Sequence, residues 1–340
     1  MLQLFFAVRM TQIREVNPLL NNYHYFITLA EEKNISRAAE KLFISHQCLS
    51  KYLKMLEQEY GVTFFERTPK LKLTLAGEAL LDTLRKVQFL EMNFENQLDD
   101  IRQSKRGIIR LGTTEGRYRI LFPDLLSQFK KAYPDVFLEV SYATSEQLTE
   151  SVLKNELDII LINKSFANHN QLDTQPLLDE RLYLVVSDHM LEQFLPDQYP
   201  ECRERFTKEG ADLALFQKVP FILNRKSFNS RLTLDAYLQD HQLQLNCVME
   251  LTQLDLHFMM SARDYAASFC WSMYIPLIQR MNGSDPDHHL NIFPVKGINT
   301  LNHMVLITRK EKILPKYGRE LIEMIKKDCS EFKRLSLKNV

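Results

Sequence analysis

The chain has 340 residues, enough for two or more domains of ordinary size, and 45% of them are hydrophobic, which excludes wholesale disorder. Lysine plus arginine and aspartate plus glutamate number 43 each, so the zero net charge excludes a generally basic coat protein while leaving room for a local basic surface. Five scattered cysteines without CxxC spacing argue against a disulfide framework or a zinc site and favour a reducing cytoplasm.

Residues 1–18 are predicted to form an N-terminal extension ahead of the first domain. The opening ten residues are apolar but lack the positively charged start and long apolar core of a signal peptide, and Met10 offers an alternative start. Apolar runs throughout the chain fall short of the roughly 18 residues that span a bilayer. We therefore expect a cytoplasmic protein without membrane contact.

Residues 34–57 are predicted to form two helices joined by a tight turn, with Ser36 and Ser45 as their N-caps. In the second helix one apolar stripe recurs at steps of three and four, through Leu49, Tyr52, Leu53 and Leu56. Between residues 36 and 54, four basic residues accompany a single acidic residue. This local excess of positive charge is suitable for binding phosphates.

The face opposite the apolar stripe is rich in hydroxyl, amide and basic groups, which suit the base edges and phosphates of a DNA major groove. The candidate DNA-contacting residues on these helices are Ser36, Arg37, Ser45, His46, Gln47, Ser50, Lys51 and Lys54. An ordinary helical hairpin with a solvated polar face explains the spacing equally well, because such hairpins are common.

Two short strands are predicted at residues 63–67 and 71–74, after Gly61, which suits the left-handed end of the second helix. A β-hairpin after two such helices forms a wing, from which Arg67, Lys70 and Lys72 are candidates to reach the DNA backbone or minor groove. Residues 19–75 are therefore predicted to be a winged helix-turn-helix domain.

Residues 76–106 are predicted to form a long linker helix whose apolar side chains recur about every 3.5 residues, as in a coiled coil. The stripe comprises Leu80, Leu84, Val87, Leu90, Phe94, Leu98 and Ile101. Its length and spacing favour pairing with the same helix of a second copy. The alternative is a single amphipathic helix packed on its own domain.

Residues 21–90 resemble the N-terminal domain of LysR-type transcriptional regulators. The matching residues are Phe26, Ala30, Ser36, Ala38, Ala39, Leu42, Ser45, Leu49, Ser50, Leu56, Glu57, Gly61, Phe64, Phe65, Glu66, Arg67, Leu73, Thr74, Ala76 and Gly77. The resemblance implies a dimer on palindromic promoter DNA, tetramers built through the second domain, and contact with RNA polymerase. One departure is His46-Gln47, where the family usually has Gln-Pro at the start of the recognition helix.

From residue 107 onward, strands and helices are predicted to alternate, which indicates a largely parallel sheet between helices. Residues 107–332 resemble, more loosely, the two-lobed α/β effector domain of the same regulators, which is of the periplasmic-binding-protein type. Lobe I is placed at about 107–163 and 272–308, lobe II at about 168–271, and a tail at 333–340. Asn155 takes the glycine position of the family's Gly-x-Leu-Asp turn, which asparagine tolerates.

An effector of such a domain is expected at the C-terminal ends of the strands, where helix N-termini point amide groups into the cleft. The candidate effector-binding residues are Thr113, Thr114, Thr144, Ser145, Arg231 and Thr252. Hydroxyls and free amides suit a small anion, although each hydroxyl is at least as well suited to capping its own helix. Arg231 is interpreted either as an anion partner or as part of a structural salt bridge.

Two further stretches stand out in the second domain. Residues 191–215 are interpreted as an insertion over lobe II, and residues 282–289 as an exposed polar loop. His288 and His289 with Asp285 and Asp287 are a weak candidate for metal binding, because adjacent histidines in a polar loop usually bind none. No metal or cofactor is predicted.

The sequence lacks the glycine-rich, P-loop and nucleophile-elbow motifs of common enzymes, so no catalytic activity is predicted. The preferred hypothesis is an α/β multidomain regulator that binds DNA and responds to a small effector in its second domain. A solute-binding sensor with the same cleft, whose N-terminal helices serve only protein contacts, is the alternative.

Overall fold

The computed structural model describes residues 22–68, 70–102, 105–226 and 228–338, and the chain divides into two compact units between Leu98 and Asp99. The predicted N-terminal extension lies outside the described residues. The elements of the first unit are α1 (Tyr23–Glu32), α2 (Ile35–Lys41), α3 (His46–Tyr60), β1 (Phe65–Glu66), β2 (Lys72–Leu73) and α4 (Leu75–Ile101), the last of which continues across the boundary.

The core of the first unit forms where the apolar faces of α1 to α4 meet the base of the wing. Phe26 of α1 is completely buried, and its ring lies edge-on to that of Phe64, with the centroids 5.6 Å apart. The predicted stripe of α3 is confirmed at the buried Leu49, Leu53 and Leu56. Since these side chains occupy one side of α3, its other side is left for polar residues.

Two helix ends match the predictions and one corrects them. The Ser45 hydroxyl accepts a hydrogen bond from the Cys48 amide at 3.1 Å, and Gly61 ends α3 with φ +66°, both as predicted. The cap of α2, however, is Asn34, whose Oδ1 accepts from the Arg37 amide at 3.1 Å. Ser36 lies inside α2 because the chain turns from extended to helical geometry one residue after Asn34.

The wing is fixed by contacts from both flanking helices. One carboxylate oxygen of Glu57 accepts from the amide of Phe64 at 2.9 Å, and the other lies 3.4 Å from Arg67. A Cβ at Gly77 would lie 2.2 Å from the Phe64 carbonyl oxygen, so a side chain there would force α4 away from the wing. The paired strands are two residues each, shorter than predicted.

Helix α4 contains two kinds of apolar residue. Leu84 is completely buried in the core of the first unit, so this part of the predicted dimer stripe is wrong and the packed alternative holds there. Leu90, Phe94 and Ile101 are 65%, 58% and 76% exposed. The exposed apolar stripe therefore begins at Leu90.

The second unit consists of two lobes. Its strands are β3 (Gly107–Thr113), β4 (Val136–Tyr142), β5 (Ile159–Asn163), β6 (Leu172–Glu180), β7 (Leu182–Ser187), β8 (Pro220–Leu223), β9 (Asn246–Glu250), β10 (Ser268–Trp271), β11 (Leu290–Pro294) and β12 (Asn302–Arg309). Its helices are α5 (Glu115–Ala132), α6 (Ser145–Leu153), α7 (Asp188–Phe194), α8 (Cys202–Glu209), α9 (Asn229–Asp240), α10 (Leu254–Ala262), α11 (Ile275–Ser284) and α12 (Lys316–Lys338).

Lobe I is built on a five-stranded sheet with the order β4-β3-β5-β12-β6. Strand β3 runs parallel to β4 and β5, as the alternation of strands and helices predicted. Strand β12 is antiparallel to both of its neighbours, so the expectation of a largely parallel sheet is corrected to a mixed one. The antiparallel part arises because β12 enters lobe I from lobe II, whereas its neighbours β5 and β6 run in the opposite direction.

Lobe II places β7 between β10 and β11, antiparallel to both, while β8 and β9 pair in parallel. The predicted lobe boundaries need two corrections. Strand β6, assigned to lobe II, pairs with β12 in lobe I, and β11, assigned to lobe I, pairs with β7 in lobe II. The chain thus crosses to lobe II immediately after β6 and returns between β11 and β12.

The segment predicted to be an insertion over lobe II is part of that lobe's core. It contains α8 and a short 3₁₀ helix, Leu213–Phe216, and Phe206 and Phe216 are fully buried with their ring centroids 5.6 Å apart. The predicted polar loop at residues 282–289 comprises the end of α11 and a 3₁₀ turn, Pro286–His288.

The predicted turn before β5 is confirmed, since Asn155 has φ +59°. Nearby Asp158 is buried and makes two contacts: its carboxylate lies 2.7 Å from the Lys312 ammonium and accepts from the Arg110 amide at 2.8 Å. The turn is thereby tied to β3 and to the segment that follows β12. In the described ranges, helices long and apolar enough to cross a bilayer are absent.

Candidate nucleic-acid interface and effector cleft

The polar face of α3 is presented to solvent. His46, Gln47, Lys51 and Lys54 are exposed on the side away from the buried leucines, and Ser50 is half-buried between the two faces. Within the part of the chain that the structure describes, neither Lys51 nor Lys54 forms an ion pair. Both ammonium groups are therefore available to phosphates.

A groove of about 830 Å³ lies between the start of α2, the start of α3 and the wing. It brings together five of the predicted DNA-contacting residues, namely Ser36, His46, Arg67, Lys70 and Lys72. Lys33 lines the same groove and was not among those candidates. The lining thus carries four cations against a single carboxylate, Glu78, which gives this groove the charge that a polyanion requires.

Arg37 and Lys41 lie on the outer side of α2, where Glu32 pairs with both at 3.1 and 3.0 Å. Hydrogen bonding from Lys41 lowers the pKa of Glu32. The Arg37 side chain is 70% exposed, and ion pairs this exposed contribute little. Arg37 can therefore exchange its carboxylate for a phosphate at small cost.

The two lobes of the second unit meet in a nearly closed cleft. Arg119 of α5 forms an ion pair with Asp255 of α10, and the Asn229 side chain donates to Asn302 Oδ1 at 2.8 Å. Between these contacts a cavity of only about 30 Å³ remains, with Gly116 and Tyr274 in its lining. A cavity of that size holds little more than one water molecule.

Beside this cavity lies a buried polar cluster that the sequence reasoning missed. Glu180, at the end of β6, is 0% exposed, and its Oε2 accepts from Asn302 at 2.7 Å and from Arg117 at 3.4 Å. Asn163, at the end of β5, donates to the same Asn302 side chain. Burial raises the pKa of Glu180, and Arg117 and Asn302 oppose the rise.

Two of the four predicted effector residues in lobe I, Thr113 and Thr144, bond to the protein's own backbone. The Thr113 hydroxyl donates to the Leu161 carbonyl at 3.0 Å inside the sheet, and Thr144 forms a capping box with Gln147. Ser145 is buried in the first turn of α6. Thr114 occupies the N-cap position of α5 without a side-chain capping hydrogen bond, so its hydroxyl can bind another partner.

In lobe II, the two predicted effector residues differ. Arg231 lies 2.7 Å from Asp235 and 2.8 Å from Glu250, and it also donates to the Asn224 carbonyl. The positive charge of Arg231 is therefore already balanced by two carboxylates, which favours a structural salt bridge over a role as an anion partner. Thr252 lines the small cavity between the lobes, together with Gly116 of lobe I.

The two histidines considered for metal binding each have a different acidic partner. His288 lies 2.9 Å from Asp285, whose hydrogen bond raises the pKa of that histidine, while His289 lies 3.4 Å from Asp188. Among the residues described, no cluster of three or more histidine, cysteine, aspartate or glutamate side chains is arranged to hold a metal ion.

The missed cleft residues share a signal that the sequence does contain. Asn163, Glu180 and Asn302 are polar residues at the ends of strands β5, β6 and β12 of lobe I. Arg117 lies in the first turn of α5, which begins at Glu115. Polar side chains at the strand ends where the chain crosses between the lobes therefore indicate the cleft more specifically than the predicted threonine and serine residues do.

Comparison with known proteins assigns both units. The family model described as "Bacterial regulatory helix-turn-helix protein, lysR family" matches residues 20–78, and the one described as "LysR substrate binding domain" matches residues 102–330. The HTH-type transcriptional activator CmpR of Synechocystis is 24% identical over 300 residues, covering 88% of this chain and 91% of that protein. The regulator CysL of Bacillus subtilis is 27% identical over 222 residues, covering 64% and 69%.

Solved structures share the fold. A full-length OxyR variant from Pseudomonas aeruginosa superposes with a TM-score of 0.62 at 22% identity, covering 91% of this chain and 94% of that one. Full-length CbnR in complex with its target DNA superposes with a TM-score of 0.52 at 19% identity, covering 91% and 99%. Both contain a helix-turn-helix unit followed by a two-lobed α/β unit.

Proposed function

This chain belongs to the LysR family of DNA-binding transcriptional regulators, and we propose that it binds palindromic promoter DNA as a dimer or tetramer and responds to a small anionic effector between the lobes of its second unit. The observation that carries the proposal is the basic groove between the start of α3 and the wing. There Arg67 and Lys70 face the same space as the first residue of the recognition helix, His46.

The proposed docking follows from the exposed face of α3. Gln47, in the first turn, offers an amide donor and acceptor suited to a base edge, while Lys51 and Lys54 lie further along the helix and reach phosphates. Arg67 and Lys70 on the wing contact the neighbouring backbone or minor groove. Position and charge thus divide the site into base-reading and phosphate-binding parts.

Two exposed apolar surfaces support self-association. The stripe at Leu90 and Phe94 on α4 would pair two copies, placing two recognition helices on the two halves of a palindrome. In the second unit, Phe137 and Tyr142 of the edge strand β4 are 64% and 63% exposed, which supports a second interface and hence a tetramer. Effector-dependent contact with RNA polymerase completes the proposed output.

The proposed role is regulation rather than catalysis, and its place of action is the cytoplasm, where promoter DNA lies. The relatives that cover most of this chain are named as transcriptional regulators or activators. The competing role, a solute-binding sensor without DNA affinity, leaves the four cations of the groove without a purpose.

A gel-shift assay with the upstream region of the protein's own gene tests the regulator directly. We expect a shift at low salt and a linear fall of log affinity with log salt, with a slope of about −0.9 per phosphate contact. A sensor of the alternative class would give neither. Failure to shift any upstream fragment at low salt would contradict the proposed function.

Substitutions on α3 should separate phosphate binding from base reading. Lys51→Ala and Lys54→Ala are expected to weaken binding to every sequence alike and to reduce the salt slope by about 1 each. Gln47→Ala should instead change which bases are preferred, by about 1–3 kcal/mol at the contacted position. Lys131→Ala, which removes an exposed cation from the second unit, is the matched control. Equal losses on matched and mismatched operators for Gln47→Ala would remove the base-reading assignment.

A further inference from the structure

We propose that Arg117 and the carboxyl group of Glu180 form the effector subsite, and that this subsite takes a monocarboxylate together with one proton. The inference rests on the proposed regulator function and narrows the chemistry of its effector. Neither residue was among the sequence-based candidates, and both lie where the lobes meet.

The first support is the set of contacts around the pair. Arg117, the third residue of α5, is 7% exposed, and Glu180 is 0% exposed. Their contact is long, at 3.4 Å between Arg117 Nη2 and Glu180 Oε2. Arg117 Nε and Glu180 Oε1 are both buried and meet no group at hydrogen-bonding geometry, although the Met273 backbone amide is close enough to the Glu180 carboxyl group to lower its pKa. Buried polar atoms are normally paired, so this donor and this acceptor indicate a partner that the protein itself does not supply.

The second support is position. Asn302, which donates to Glu180 at 2.7 Å, also accepts from Asn229 of lobe II, so the pair sits beside the contact that holds the lobes together. A cavity of about 30 Å³ at the same junction is lined by Gly116, next to Arg117 in the chain, and by Tyr274, which interacts with both Arg117 and Glu180. Because that volume suits about one water molecule, a carboxylate can enter only when the lobes separate. Separation breaks the Asn229–Asn302 bond and the half-exposed Arg119–Asp255 pair.

The third support is charge balance. One guanidinium and one carboxylate leave the buried pair neutral, so an added carboxylate would leave an unbalanced negative charge in a site shielded from water, which is costly. A proton on Glu180 Oε1 removes that charge. The resulting hydroxyl and Arg117 Nε–H then provide two donors for the incoming carboxylate, and both unpartnered atoms are satisfied.

Other titratable groups near Glu180 stay neutral in this process. Cys270 of β10, Tyr274 just after it, and Cys329 of α12 all lie close enough to interact with Glu180, and burial raises the pKa of each above its ordinary value. Burial also raises the pKa of Glu180, against the opposing effect of Arg117. The proton taken up with the ligand therefore belongs to Glu180.

Calorimetric titration of the full-length protein with acetate, propionate and benzoate tests the inference. At about pH 6 and about pH 8, in buffers of different ionisation enthalpy, we expect binding of at least one acid, with proton uptake that rises toward one at the higher pH. Affinity should fall by up to about tenfold for each pH unit above the pKa of Glu180. Arg117→Gln should weaken binding by about tenfold or more, because the charged donor is lost.

Glu180→Gln gives the sharpest contrast, because glutamine resembles the protonated acid in shape and donor. This variant should keep the affinity seen at low pH, lose the pH dependence and take up no proton. Asp179→Asn is the matched control: Asp179 precedes Glu180 on β6 but is half exposed and pairs with His303 at 2.7 Å. It should bind and take up the proton as the wild type does.

Three results would overturn the inference: no binding of any of the three acids at either pH, binding at about pH 8 without proton uptake, or weaker binding in Glu180→Gln than in the wild type at low pH. Glycine bound without pH dependence would also overturn it, since its ammonium group would replace the proton. If Arg117→Gln does not fold, the pH profile of the wild type and the behaviour of Glu180→Gln still test the inference. A gel shift on the same samples distinguishes the two proposals. Loss of DNA binding would contradict the proposed regulator function, whereas the carboxylate titration would still report on the Arg117–Glu180 subsite.

Discussion

Replacing Leu90 and Phe94 together by glutamate is expected to convert the protein to a monomer and to lower its affinity for a palindromic promoter about a hundredfold or more. The two side chains are 65% and 58% exposed on one stripe of α4, and each gains about 1.5–3 kcal/mol when fully buried against a partner. In a dimer of this variant, the two copies would bring four glutamates together on the paired stripe. Their mutual repulsion would replace the free energy gained from apolar burial. Light scattering measures the mass, and gel shifts on full and half palindromes measure the affinity.

Two variants of the same helix control for folding. Gln88→Glu adds the same charge on the side of α4 away from Leu90 and should leave the dimer and its DNA affinity unchanged. Leu84→Glu should instead unfold the first unit, because Leu84 is completely buried in its core. A Leu90/Phe94 variant that remains a dimer with unchanged promoter affinity would show that α4 does not pair the subunits.

The first unit was predictable because its signals are local. The stripe of α3, the Ser45 cap and the left-handed Gly61 each depend on residues within a few positions of one another. The Asn34 cap of α2 was missed because Asn34 and Ser36 are both good caps two residues apart. Local rules identify such a helix start but do not choose between neighbouring candidates.

The second unit was predicted in its parallel part and missed in its antiparallel part. Strand β6 was overlooked because it contains Pro176, and proline removes a backbone donor from a sheet. The structure accommodates it on the outer strand of the lobe I sheet, opposite Val305, where the register with β12 shifts. Pairing of β6 with β12 joins residues more than 120 positions apart, which no local pattern reveals.

The two candidate sites also differ in whether they depend on local or on distant residues. The DNA-contacting face follows from two adjacent helices and one hairpin, so five of its predicted residues line one groove. The cleft depends on Arg117 and Glu180, which are 63 residues apart and come together only when the lobe folds. The hydroxyl candidates were chosen by position at strand ends, and the structure shows that Thr113 and Thr144 are used by the backbone instead.

Lys312→Met is expected to destabilise the second unit by about 3–5 kcal/mol, because it leaves the buried carboxylate of Asp158 without its counter-charge. The Lys312 and Asp158 side chains are 1% and 6% exposed, and their charged atoms lie 2.7 Å apart. For a unit of this size the loss corresponds to a fall in melting temperature of roughly 6–20 °C. Thermal unfolding followed by circular dichroism measures it.

A double variant separates the lost charge balance from lost packing. Asp158→Asn added to Lys312→Met removes the unpaired charge yet keeps an oxygen that can accept from the Arg110 amide, which lies 2.8 Å from Asp158 in the wild type. Most of the stability should return. Lys310→Met, at an exposed position two residues earlier, should have little effect. If the double variant is as unstable as Lys312→Met, or if neither variant is destabilised, the ion pair is not what ties the turn before β5 to the end of the lobe I sheet.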